Sequence, residues 1–126
     1  AAAIMARMDE GLPKLWLITK TLGLRREHPE WFGADAEYEP VSAEGEYAAH
    51  VVAFMRGGNV ITLVPRLFTR LPGHPDKVQR AWGNTCICLP HGNWRNQLCP
   101  AQVFAGEVKL SELLQLVPVA LLSRDV

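Results

Sequence analysis

Cysteine is scarce in this chain, net charge is absent, and no long apolar run occurs anywhere. The three cysteines, Cys86, Cys88 and Cys99, are an odd number with no framework spacing. They exclude a disulfide-stapled secreted scaffold and fit a reducing, cytoplasmic compartment. Lys and Arg balance Asp and Glu at 13 each, so no global field gathers nucleic acid or an anionic membrane surface. The run of about 18 apolar residues that a membrane-spanning helix needs is missing. His28, His50, His74 and His91 form no HxH or HxxxH grouping, and Cys86 and Cys88 lack the tighter CxxC spacing of a structural metal site. No metal and no cofactor is expected.

What is there is ordinary globular material. The 126 residues are 48% apolar and 21% charged, enough for one domain with a real core and too little for a complete large enzyme. The start, Ala1-Ala2-Ala3-Ile4-Met5-Ala6-Arg7, has neither an initiator Met nor a signal-peptide layout. The reading is a piece of a longer chain, entered inside a helix. Asp35, Glu37, Glu39, Glu44 and Glu46 crowd one stretch, and Arg56, Arg66, Arg70, Lys77 and Arg80 follow. These read as a solvated acidic loop over 33–46 and scattered basic rims.

The first third is helical. Asp9 or Glu10 can cap its main segment, and Pro13 suits a first turn, where a missing N–H costs little. Arg25 and Arg26 suit the negative end of the helix dipole, and His28 before Pro29 ends the helix. At about 100° per residue, Leu15, Ile18 and Leu22 mark one face, Leu17, Thr21 and Leu24 another, and Trp16 a third. A helix that is apolar on several sides is buried on several sides. One small sandwich cannot cover it all, so the helix is expected to serve a neighbouring domain as well.

After Pro29-Glu30-Trp31-Phe32-Gly33 the pattern turns to strands and turns. The stretch 46–55 reads as a strand with Val52, Phe54 and His50 on one face. Arg56-Gly57-Gly58-Asn59 is a turn signal, and Val60-Ile61-Thr62-Leu63-Val64 answers it as a hairpin partner that Pro65 ends or places at an edge. A loop follows over 71–79. A short strand at 85–89, the turn Pro90-His91-Gly92-Asn93 and a return strand at 94–98 come next. A strand at 104–110 around Gly106, a capped helical turn Ser111-Glu112-Leu113-Leu114 and a buried strand at 119–122 complete the pattern. Short strands between turn clusters give a mainly β fold class, an antiparallel β-sandwich with an N-terminal helical segment. The division is a helical segment over 1–32 and a sandwich domain over 33–126.

Several ordered motifs resemble one family. Asp9-Glu10-Gly11-Leu12-Pro13-Lys14-Leu15-Trp16, Leu24-Arg25-Arg26 and Pro29-Glu30-Trp31-Phe32 are similar to the last barrel helix of the maltooligosyl trehalose synthases. His50-Val51-Val52-Ala53-Phe54-Met55-Arg56 resembles that family's first sandwich strand, and Val64-Pro65-Arg66-Leu67 the end of its second. Trp82-Gly83-Asn84-Thr85, Leu89-Pro90-His91-Gly92-Asn93-Trp94-Arg95 and the stretch 113–122 complete the match. It spans nearly the whole chain in order, and only the C-terminal part of the family's much longer protein. The resemblance implies an α-amylase-type (β/α)8 barrel upstream. It also implies conversion of a maltooligosaccharide's reducing-end α-1,4 linkage to α,α-1,1 by intramolecular transglycosylation. A nucleophilic carboxylate and an acid/base carboxyl do this work in the barrel, and neither maps onto this chain.

No catalytic residue is therefore assigned here. A retaining pair needs two carboxyls about 5 Å apart, whereas these acids read as loop and cap residues. Cys86 and Cys88 share one strand face, Cys99 can approach from a neighbouring strand, and all three read as small buried residues. Trp82 and Trp94, next to turns, are the candidates for stacking on a sugar ring, with Trp31 a third aromatic that packing also suits. Trp16 reads as packing. Lys14 and Arg66 occupy motif positions in the resemblance and, with Trp16, are read as bracing the junction of barrel and sandwich. The expected partners are the missing barrel and the parent's maltooligosaccharide, with self-association through an exposed helix as a further one. Two rival readings are a carbohydrate-binding module and an assembly domain that dimerises through its helix.

Overall fold

The computed structural model describes residues 12–66, 82–114 and 119–124. The expected caps Asp9 and Glu10 and the loop at 71–79 lie outside the described residues. Helix α1, Leu12–Glu27, carries Arg25 and Arg26 in its last turn, and a 310 turn at Pro29–Trp31 follows it. Among the described residues nine strands come next: β1 Tyr38–Pro40, β2 Ala43–Glu44, β3 Val51–Arg56, β4 Val60–Pro65, β5 Cys86–Cys88, β6 Trp94–Asn96, β7 Val103–Phe104, β8 Glu107–Lys109 and β9 Ala120–Arg124. A short helix α2, Leu110–Leu113, lies between β8 and β9.

The strands form two antiparallel sheets. One has the order β1-β3-β4-β9-β6-β7, the other β2-β5-β8. Their shared core contains Val51, Ala53, Ile61, Leu63, Trp94, Ala120 and Leu122 from the larger sheet and Ile87 and Val108 from the smaller. Leu110, Leu113 and Leu114 of the α2 region close it. Strand side chains alternate in direction, so the neighbours of these residues point the other way. Val60 and Leu121 do so, and they join Leu24, Trp31, Leu98 and Cys99 in a second buried cluster, with Trp16 and Leu17 against it. The chain thus has three layers: helix, six-stranded sheet and three-stranded sheet.

The N-terminal helix is covered on one side by its own chain, and the mainly β antiparallel class is as expected from the sequence. The hairpin is too. Asn59 N–H donates to the Arg56 carbonyl at 3.1 Å across Gly57 and Gly58, at φ 58° and 68°. That is the type I′ geometry which favours glycine at both central positions. Several details differ. The stretch 46–50 is a turn and a 310 segment, Ala48–His50, and the strand begins only at Val51. Its core face is Val51 and Ala53, while Val52 and Phe54 face outward. Both parities of this strand are apolar, so alternation alone cannot choose; registry of Val51 and Ala53 with Pro65 and Leu63 on β4 decides it.

The turn at 90–93 does not fold the strand at 85–89 back on the next one. Instead β5 pairs with β2 and β8, and β6 pairs with β7 and β9, so the chain changes sheets there. It changes again near Gly106, at φ 68°, which splits the expected strand 104–110 into β7 and β8. The acidic stretch 33–46 is not all loop, since it contributes β1 and β2. No side chain caps α2, whose N-cap is Lys109.

Helix and sheet meet at one tight junction. A Cβ on Gly57 would lie 3.0 Å from Trp31 Cα, a backbone atom that cannot swing aside. A Cβ on Gly58 meets nothing within 4 Å. Gly58→Ala should therefore cost roughly 1 kcal/mol from its left-handed backbone alone. Gly57→Ala should cost about 3 kcal/mol because steric overlap adds to that strain. Urea unfolding of the two variants checks the ranking, and equal losses would deny the close approach.

Candidate functional site

The feature that needs explaining is the outer stripe of α1. Leu15, Ile18 and Leu22 are 60%, 45% and 51% exposed. Their i, i+3, i+7 spacing lines them up along one side. Leu24 is buried on the sheet side, and Leu17 and Trp16 are packed against the second cluster. The helix is thus half-covered by its own chain. Scattered exposed apolar residues are common, but an ordered stripe marks a contact surface.

The junction fixes where this stripe points. The His28 ring stacks on Trp31 with centroids 3.7 Å apart and planes 7° from parallel. Trp31 is buried against Leu24 and Leu121's cluster. Arg56 Nη2 donates to the carbonyls of Phe32 and Gly33 at 3.1 and 3.3 Å. The guanidinium thereby ties the chain leaving the helix to the end of β3. Gly57 N–H donates to the Glu37 carbonyl at 2.8 Å and adds a further tie. A helix held at its end by stacking, packing and three hydrogen bonds presents its stripe at a set angle.

Trp82 and Trp94 are both 0% exposed, so both candidate rings lie inside the fold and neither presents a face to solvent. Trp94 Nε1 donates to the Pro90 carbonyl at 3.0 Å, and the Arg124 guanidinium lies 4.5 Å above the ring. Arg124 also donates from Nε and Nη2 to the Gly58 carbonyl at 3.2 and 3.0 Å and from Nη1 to the His91 carbonyl. One side chain so links the hairpin turn, the sheet-changing turn and the tryptophan. Gly92, at φ 115°, makes room, since a Cβ there would meet Arg124 Nη1 at 2.6 Å.

Trp82 fills the core between the sheets, and its indole N–H has no acceptor among the described residues. The residues after it are anchors. Asn84 Oδ1 accepts from Glu46 N–H at 3.0 Å, and Thr85 Oγ1 accepts from Tyr47 N–H at 2.9 Å. The motif holds the turn ahead of β3.

Lys14 is exposed on α1, Trp16 is half-buried against the second cluster, and Arg66 is exposed just past β4. Arg66 N–H donates to the His50 carbonyl at 2.7 Å, closing the hairpin's far end. No described contact brings the three side chains together. Nothing local marks Arg56 or Arg124 as ties, because their partners are carbonyls distant in the chain.

The cysteines also part company. Cys99 is buried in the second cluster, while Cys86 is half-buried and Cys88 exposed on β5. The reading of all three as buried residues holds for Cys99 alone, because Ile87 takes the core-facing position of β5. Cys86 Sγ donates to Glu107 Oε1 at 3.0 Å. That hydrogen bond, with desolvation and the charges of Glu107 and Glu44, pushes its thiol up to about 11.

No protein-family model matches the chain. Two Mycobacterium tuberculosis proteins, from different strains and both assigned by name as maltooligosyl trehalose synthases, are each 40% identical over 113 residues. The match takes in 90% of this chain and 14% of theirs. The solved structure of maltooligosyltrehalose synthase from Arthrobacter ramosus, and that of a point mutant of it, superpose with a TM-score of 0.73 at 30% identity. They cover 98% of this chain and 16% of the solved one. The chain spans about a seventh of the length of the curated relatives it matches.

The Cys86–Glu107 contact gives a direct check on the smaller sheet. Glu107→Gln removes the negative charge that holds the proton on Cys86. At about pH 8 its thiolate fraction should rise, and alkylation of Cys86 should quicken by about tenfold after allowing for the weaker nucleophilicity of a less basic thiolate. Iodoacetamide labelling resolved to the residue by fragment ions reads this, with Cys99, in the second buried cluster, as internal reference. An unchanged Cys86 rate would contradict the contact.

Proposed function

This chain is homologous to the maltooligosyl trehalose synthases over nearly its whole length, and from that kinship we infer that it is the C-terminal, non-catalytic part of such an enzyme. The parent converts the reducing-end α-1,4 linkage of a maltooligosaccharide to α,α-1,1 by intramolecular transglycosylation. Its carboxylate nucleophile and acid/base belong to a barrel outside these residues. Residues 1–32 supply helical structure at the end of that barrel, and residues 33–126 form the sandwich that supports it. No helix among the described residues is long and apolar enough to cross a membrane. The enzyme works in the cytoplasm, where free thiols persist.

The observation that carries this reading is the stripe Leu15, Ile18 and Leu22, exposed on a helix whose opposite side is built into the chain's own core. Such a helix belongs to two bodies at once. Burying each of these side chains is worth roughly 1.5–3 kcal/mol, enough in sum to fasten a sandwich to a barrel. The chemistry requires reacting groups placed within fractions of an ångström, so a brace far from the carboxylates still affects rate. Lys14, Trp16 and Arg66 serve this junction. A sugar-binding role for Trp82 or Trp94 lacks support, because either ring would first have to leave the core.

In the full-length enzyme, Ile18→Asp with Leu22→Asp should loosen this fastening. Turnover should fall at least about tenfold and limited proteolysis should release the sandwich, as expected when charge is forced into an apolar contact. Lys20→Asp, exposed on the same helix, should leave both readouts near the parent values. Normal turnover in the double variant would sink the bracing role.

A further inference from the structure

The larger sheet has a second uncovered apolar area, on the same side as the helix. Outward from β3 and β1 point Val52, Phe54 and Tyr38, on the face opposite Val51 and Ala53. Val52 is 38% exposed and Tyr38 63%. The Tyr38 and Phe54 rings stack on each other with centroids 5.1 Å apart and planes at 26°. The pair is diagonal across the β1–β3 ladder, where Tyr38 pairs with Arg56 and Pro40 with Phe54. Helix α1 covers Val60 and Leu121 of this face and stops short of these residues.

We propose that the face made by Tyr38, Phe54 and Val52 is a second contact surface for the same partner as the helix stripe, the remainder of the synthase polypeptide. This rests on the bracing reading and extends it: the partner straddles the helix and lands on the sheet as well. Two observations select that occupant. The solved relative carries far more polypeptide than these residues match, since they cover 16% of it. The face continues the side of the sheet on which the helix already lies. The partner surface is therefore apolar at its centre.

The stacking of Tyr38 on Phe54 suits this role. A phenol ring held by a neighbour and by a paired strand loses little conformational freedom on docking. Aromatic side chains of this kind, desolvated at the centre of a contact, are common binding anchors.

Hydroxyl-radical footprinting of the full-length synthase, with peptide-level mass spectrometry, tests this without any substitution. Without sugar, Tyr38 should be oxidised at least about fivefold more slowly than in the urea-unfolded enzyme, as for a ring desolvated within an interface. That protection should not change with enzyme concentration. Oxidation of Tyr38 at the unfolded rate would overturn the proposal. So would protection that appears only with maltohexaose, which would make the ring pair a sugar platform, or only at high enzyme concentration, which would make it a self-contact. Leu15, Ile18 and Leu22 in the same data separate the two levels of inference. If they are protected and Tyr38 is not, the second surface fails and the bracing role stands; if all are oxidised freely, both fail.

Discussion

The close approach of Trp31 to Gly57 sets the geometry on which the rest depends. Trp31 stacks beneath His28, and its backbone rests where any side chain at position 57 would stand. Arg56, one residue earlier, takes the Phe32 and Gly33 carbonyls. The glycine is thus needed twice, for its positive φ in the hairpin turn and for the space it leaves the helix end. Without that space the helix could not lie on Val60 and Leu121, and its outer stripe would have no defined direction.

From this junction the layers follow. Residues of one parity on β3, β4 and β9 build the core between the sheets, and Val60 and Leu121, of the other parity on β4 and β9, meet the helix. Both parities are apolar because both sides of the six-stranded sheet are used. The helix repeats the logic, with Leu24 and Leu17 inward and Leu15, Ile18 and Leu22 outward. A chain that spends apolar residues on every side of its elements is built to be covered on every side. The tryptophans belong to the inner layers. Trp94 is clamped by Arg124, and Trp82 lies buried in the core between the sheets.

The sequence made some of this plain and hid the rest for physical reasons. The helix's two faces were readable because helical periodicity separates Leu15, Ile18 and Leu22 from Leu17, Thr21 and Leu24. The hairpin was readable because Gly57-Gly58 is a local signal. The parity of β3 was not, since Val51, Val52, Ala53 and Phe54 are all apolar. The turn at Pro90-His91-Gly92-Asn93 looked like a hairpin because local chemistry says only that the chain turns, and the sheet it joins is decided by distant strands. Arg124 left no trace, because its carbonyl partners at His91 and Gly58 lie 33 and 66 residues away. Turn-flanking tryptophans looked exposed for the same reason, since what encloses them comes from elsewhere in the chain. Tyr38, inside an acidic stretch, read as part of a solvated loop.

The central claim is that these residues are one half of a contact whose other half is the catalytic body. The most direct measurement is to produce this chain and the remainder of the synthase separately, mix them, and follow both sedimentation and trehalose-linkage formation. A stoichiometric complex that restores turnover absent from either piece is the expected result. Two pieces that sediment independently, with the remainder active on its own, would contradict the account.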